Sequence, residues 1–147
     1  MHKKRRAFTI ELSKIAREIP LEVSVINDFV EPAKKRKCTA IIDTGATISV
    51  IPPSVAEELG LENMGEITTA GIHNKPEKSK KYMVTFGLPN GIKIDAEVVG
   101  AEVAGVEVLI GMNVISKGDF AMTHTKDGEL IAAFAHPPLG KEVDFGE

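Results

Sequence analysis

The 147 residues predict an all-β domain with one or two short helices, and three observations carry that expectation. The apolar content is aliphatic: 43% of residues are hydrophobic, yet the chain holds 6 Phe, 1 Tyr and no Trp, so the core is built from Ile, Val and Leu, which suit a pleated sheet. Apolar or alternating runs of strand length recur along the chain. Two connections carry strong hairpin-turn chemistry, Asn90-Gly91 after Pro89 and Asp127-Gly128.

The elements follow in order. Residues 1–6 (MHKKRR) are basic and expected to be a flexible, solvated terminus, since terminal charge runs commonly lack order. Residues 7–12 (AFTIEL) read as a short strand. Residues 21–26 (LEVSVI) alternate more cleanly, with Leu21, Val23 and Val25 on one face and Pro20 at the strand start, where its missing N–H is tolerated. Residues 31–37 (EPAKKRK), with four positive charges in a row, read as a turn or loop. A nucleic-acid footprint would need a basic face with interleaved aromatics, and neither is visible there. Cys38 reads as a small, half-buried strand residue, because no His lies near it in sequence to activate a thiol.

Residues 39–42 and 48–51 are β-branched apolar runs with the character of strands buried on both faces. Pro52 and Pro53 then suit a helix start, Val55, Ala56 and Leu59 its apolar side, and Gly60 its C′ residue, giving a helix of about seven residues. Residues 66–82 (EITTAGIHNKPEKSKKY) open with β-branched residues and turn polar, as an ordinary hydrophilic hairpin loop would. Residues 82–88 and 92–99 form a hairpin around Asn90-Gly91, and 103–110 another strand. Residues 111–115 turn into a second short helix, residues 120–124 and 130–135 flank the Asp127-Gly128 turn, and the tail from residue 137 is expected to be loose. Residues 7–136 are thus expected to be one domain.

Composition excludes several classes of function. A net charge of −3 and a pI near 5.8 exert no overall pull toward nucleic acid. A single cysteine forbids an internal disulfide, and no apolar run approaches the length of a membrane helix. With no leader-like segment either, the expected compartment is the cytoplasm. His2, His73, His124 and His136 are scattered without metal-ligand spacing, so no metal is expected. There is no glycine-rich phosphate loop and no nucleophile elbow, and no cofactor is expected.

One stretch carries chemistry. In residues 39–51 (TAIIDTGATISVI) an apolar run breaks on Asp43-Thr44-Gly45-Ala46 and then resumes. A carboxylate between two such runs is costly to bury unless it is hydrogen-bonded or paired, so Asp43 needs a partner. Gly45 lets the backbone turn and brings amide N–H groups toward that carboxylate, Thr44 adds a hydroxyl, and Ala46 keeps the approach open.

These residues resemble the retropepsin-like aspartic proteases, whose loop reads apolar-apolar-Asp-Thr/Ser-Gly-Ala/Ser/Thr. The resemblance strengthens with Val108-Leu109-Ile110-Gly111, which matches the family's second apolar stretch passing behind the catalytic loop into a short helix. About 68 residues separate Asp43 from Gly111, as in the single-lobe, retroviral-type branch, and the match covers roughly residues 38–120. It implies a closed or partly open acid-protease β-barrel with Asp43 catalytic and Thr44, Gly45 and Ala46 as the active-site loop. It also implies a flap over substrate at Ala70, Gly71 and Ile72, with residues 73–81 its moving part, and a closing strand at the dimer interface. Where this chain has Asn113, family members often have Arg or Asp, which removes an ion pair.

The family's route to peptide hydrolysis needs two facing aspartates, one ionised and one protonated. Only one Asp-Thr-Gly occurs, because Asp28, Asp95, Asp119, Asp127 and Asp144 are not followed by Thr-Gly or Ser-Gly. Two lobes of about 100 residues each would not fit either. The expected enzyme is therefore a homodimeric aspartic endopeptidase, its partners a second copy of itself and a peptide or protein substrate, with no membrane and no nucleic acid. Two other readings of the same residues are a non-catalytic retropepsin-like dimerisation or peptide-binding module, and, with least support, a nucleic-acid-associated factor acting through the basic runs.

Overall fold

In a computed structural model of the chain, which describes residues 4–12, 17–70 and 76–146, the polypeptide folds into a closed six-stranded β-barrel flanked by a small separate sheet. The strands are β1 (Arg6–Glu11), β2 (Pro20–Asn27), β3 (Lys34–Ile42), β4 (Ser49–Ile51), β5 (Glu66–Ala70), β6 (Pro76–Leu88), β7 (Ile92–Gly100), β8 (Val108–Ile110), β9 (Asp119–His124) and β10 (Leu130–His136). Two short helices, α1 (Pro53–Glu58) and α2 (Met112–Ile115), follow β4 and β8.

The barrel runs β2-β3-β8-β4-β7-β6 and closes where β6 pairs back onto β2, with Val25 opposite Phe86. Closure leaves no open edge among those six strands, and β5 hangs on β6 outside the ring. Alternation fills the interior: Val23 and Val25 on β2, Cys38 and Ala40 on β3, Val84 and Phe86 on β6, and Ile94, Ala96 and Val98 on β7 are all buried. Each fully buried side chain of Val or Phe size stabilises the fold by roughly 1.5–3 kcal/mol. Asn27, only 2% exposed, is a polar exception with a job. Its Nδ2 donates to the Leu59 carbonyl at 2.8 Å and its Oδ1 accepts from the Phe29 amide at 3.0 Å, so it caps the end of α1 from β2.

The turns behave as their residues dictate. Asn90 and Gly91 adopt φ of 61° and 74°, the left-handed pair that lets β6 turn tightly into β7. Gly60 ends α1 at φ 63°, and Val55, Ala56 and Leu59 are its buried side.

Four expectations need correction. Residues 34–37 are the first half of β3, paired with β2 from Asn27↔Lys34 onward, with Lys35 and Lys37 turned outward. Cys38 is fully rather than half buried, and desolvation pushes its thiol up to about 11, so it is not a reactive cysteine. Residues 76–81 are not loop but the start of the 13-residue β6, paired with β5. Conversely β8 is only 3 residues long, because the chain turns at Gly105 (φ 82°) where a longer strand was expected.

The small sheet has the order β1-β10-β9, with Phe8, Phe120 and Phe134 packed toward the barrel and the Phe8 and Phe134 ring centroids 5.8 Å apart. β10, the closing strand, therefore has both edges paired within its own chain, so no further strand can add to its edges. Beyond it the tail is tied back: Asp119 accepts from the Leu139 amide at 2.8 Å and pairs with Arg5 at 2.7 Å. The amide first, and the guanidinium after it, hold the Asp119 carboxyl below its ordinary value of 3.8. A depressed folded value means this anchor is complete above the unfolded value and is lost as pH falls through the folded one. The Leu139 amide resonance is thus expected to stay unchanged from pH 8 down to pH 4 and to move only below that, and Asp119→Asn to shift it at every pH. Among the described residues no helix is long and apolar enough to cross a membrane.

Candidate active site

The two halves of the barrel meet at the break between β3 and β4. β3 runs parallel to β8, and the ladder continues one step past its end, where the Asp43 amide donates to the Ile110 carbonyl at 2.9 Å. The chain then turns: the Gly45 amide donates to Asp43 Oδ1 at 2.9 Å and the Ala46 amide to the Asp43 carbonyl at 3.2 Å. The partner that the Asp43 carboxylate required is thus a backbone N–H, supplied two residues on. No other residue among those described hydrogen-bonds or ion-pairs to that carboxylate. Asp43 is half-buried, Thr44 and Gly45 are exposed, and Ala46 is half-buried, so the loop presents its tip outward. Thr39 is exposed and Ile41 and Ile42 are half-buried, so this strand end is not covered on both faces within one chain.

The loop is held from behind by the start of α2. The Met112 amide donates to the Ala46 carbonyl at 2.7 Å and the Asn113 amide to the Thr47 carbonyl at 3.2 Å. Gly111 is needed for this approach, because a Cβ there would lie 2.8 Å from the carbonyl oxygens of both Ala46 and Ile48. Ser49 and Asn113 complete the brace. Asn113 Oδ1 accepts from the Ser49 amide at 3.0 Å and from Ser49 Oγ at 2.8 Å, while Ser49 Oγ accepts from the Gly111 amide at 2.9 Å. Asn113 Nδ2 donates to the Glu97 carbonyl at 2.8 Å, which extends the brace to β7.

Residues 33–117, more than half of the chain, match the sequence family described as "gag-polyprotein putative aspartyl protease". The chain belongs to this family. No curated protein matches it by sequence. Among solved structures it is similar to a retropepsin-like aspartic protease from Rickettsia conorii, with a TM-score of 0.55 over 92% of this chain and 98% of that one. At 17% identity that similarity speaks to the fold alone, which is retropepsin-like. A foamy viral protease-reverse transcriptase, solved in complex with an RNA/DNA hybrid, matches at 26% identity and a TM-score of 0.51 over 67% of this chain. Only 12% of that longer polypeptide is covered.

For this aspartyl protease family member, the structure brings Asp43, Thr44, Gly45 and Ala46 together on one loop and seats Gly111 behind it. Ala70 ends β5 opposite Pro76, while Gly71 and Ile72, the rest of the expected flap, lie outside the described residues. Sequence reasoning missed Ser49, which sits inside an apolar run and is 0% exposed. A hydroxyl in an otherwise aliphatic strand was the available signal, since a buried hydroxyl demands a partner. Asn113 makes neutral hydrogen bonds to Ser49 and to the Glu97 carbonyl. Asn113→Ala strands the Ser49 amide and hydroxyl, and is expected to lower stability by about 1–2 kcal/mol, read from urea denaturation midpoints.

Proposed function

We propose that the chain is an aspartic endopeptidase that works as a homodimer, hydrolysing peptide bonds with a water activated between two Asp43 carboxylates, one from each copy. The observation that carries this reading is the Asp43 loop itself: a half-buried carboxylate oriented by the Gly45 amide, on a rigidly braced turn that occurs once per chain. Two like charges about 3 Å apart are not both ionised, so one Asp43 of the pair carries a proton. The ionised one takes a proton from water as the oxygen attacks the scissile carbonyl carbon, and the protonated one gives its proton to the carbonyl oxygen. The resulting tetrahedral diol collapses as a proton passes to the amide nitrogen, the C–N bond breaks, and no covalent enzyme intermediate forms.

The remaining loop residues take positioning roles in this scheme. Thr44, exposed beside Asp43, meets its copy across the twofold axis in this scheme. Gly45 offers backbone to substrate and Ala46 lines the floor. Ala70, Gly71 and Ile72 take the role of the flap that excludes water on closing in this scheme. The expected substrate is an extended peptide or protein, and the expected compartment the cytoplasm.

A peptide-library cleavage assay across pH 4 to 8, with an aspartic-protease inhibitor as control, tests the reading alongside sedimentation analysis. Inhibitor-sensitive cleavage by a dimer supports it. Saturable peptide binding without turnover would instead make the chain a non-catalytic binding module, and a monomer under all conditions would leave Asp43 without its second carboxylate.

A further inference from the structure

The chain carries 21 acidic and 18 basic side chains, so a cavity lined by basic groups without a carboxylate is not a consequence of overall composition. Among the described residues Arg5 pairs with Asp119, Arg36 with Glu58 and Glu107, and Lys81 with Glu97. One cluster of basic groups shares a cavity. Lys4, Arg6, Lys93 and His136 line a cavity of about 390 Å³ between β1 and the β6–β7 turn, and no carboxylate lines it among the described residues. None of Lys4, Arg6 and Lys93 forms an ion pair with a described residue.

Two of the side chains, Arg6 and His136, are held in place. Arg6 Nη1 donates to the Gly91 carbonyl at 3.1 Å, which fixes the guanidinium and leaves four of its five N–H groups free. It packs so closely over the turn that a Cβ at Gly91 would collide with it. His136 Nδ1 lies 2.8 Å from the Lys117 carbonyl, an oxygen that only accepts, so Nδ1 carries a proton and the ring is fixed in place. Arg6 and His136 are direct cross-strand partners in the β1–β10 register.

We propose that this cavity binds a phosphate dianion, free or as the monoester of a small metabolite, on Lys4, Arg6 and Lys93, with His136 lining it. Three cations lining one cavity match a doubly charged tetrahedral oxyanion better than a singly charged carboxylate, and a guanidinium fork suits it geometrically. The volume is that of a small-molecule pocket, whose usual range is roughly 300–1,000 Å³. A nucleic-acid tract would need a stripe of about 6–10 uncompensated cations, whereas the other basic run, residues 34–37, has its Arg36 neutralised by two glutamates.

Amide chemical shifts of the full chain, followed while inorganic phosphate, adenosine monophosphate or sodium acetate is added at matched ionic strength, test this. The expected result is saturable shifts at Lys4, Arg6, Lys93 and His136 with phosphate or the nucleotide. Which of the two binds more tightly distinguishes a free anion from a monoester. Lys93→Gln and Lys4→Gln, both at exposed sites, are each expected to weaken binding about five- to tenfold while the spectrum stays dispersed. Asp43→Asn is expected to leave it unchanged, which separates this site from the peptidase reading. Equal shifts with acetate, no saturation, or tighter binding of a generic single-stranded oligonucleotide spread beyond the cavity would each overturn the proposal.

Discussion

Asp43→Asn is expected to abolish peptide hydrolysis while leaving the fold and any dimer intact. The substitution is nearly isosteric, and its side-chain oxygen still accepts from the Gly45 amide, so the turn that orients the group keeps its 2.9 Å hydrogen bond. What is lost is the ability to take and return a proton, which contributes on the order of 10²–10⁴-fold to such reactions, and in a homodimer both positions lose it at once. Stability should change by less than about 0.5 kcal/mol, because Asp43 anchors nothing else among the described residues. A mixing experiment makes the shared site measurable. If equal amounts of wild-type and Asp43→Asn chains pair at random, about one quarter of the dimers keep two aspartates, and activity should fall to about one quarter. Self-contained sites would leave about one half. Cleavage retained by the variant alone would sink the mechanism.

The elements legible in the sequence are those whose cause is local. The β6–β7 turn could be read because Asn90 and Gly91 are residues that tolerate positive φ, and the α1 boundaries because Pro53 and Gly60 suit opposite ends of a helix. The Asp43 loop was readable for a similar reason, since a carboxylate between two aliphatic runs, followed by glycine, leaves few structures that satisfy it. What could not be read depends on distant partners. Residues 34–37 look like a charged loop until β2 supplies a strand across from them, after which Arg36 faces two glutamates and the lysines face water. Residues 76–81 became strand for the same reason, opposite β5. The seam that closes the barrel joins residues 24–26 to 85–87, a separation that no periodicity encodes. Ser49 was hidden because its partner, Asn113, lies 64 residues away.

That dependence on a distant partner makes Gly111→Ala the sharpest test of how the site is built. Gly111 lies far from the Asp43 side chain in sequence and carries no functional group, yet the added methyl would sit 2.8 Å from two carbonyl oxygens, those of Ala46 and Ile48. Both are backbone, so no side-chain rotation relieves the contact; either α2 or the 43–48 loop must move. The expected cost is about 3 kcal/mol of stability, the upper part of the range for overpacking. Because the loop carries Asp43, a shift of order 1 Å is also expected to lower kcat about 10²-fold in the surviving folded protein. Gly45→Ala provides the contrast. There the new methyl would meet only Asp43 Oδ1, at 3.2 Å, and a carboxylate can rotate away. That variant should keep most of its stability, within about 1 kcal/mol, but lose activity as the carboxylate leaves the Gly45 amide. If Gly111→Ala unfolds no more easily than Gly45→Ala, the close approach of α2 does not hold the loop in solution, and the brace through Ser49 and Asn113 must carry it alone.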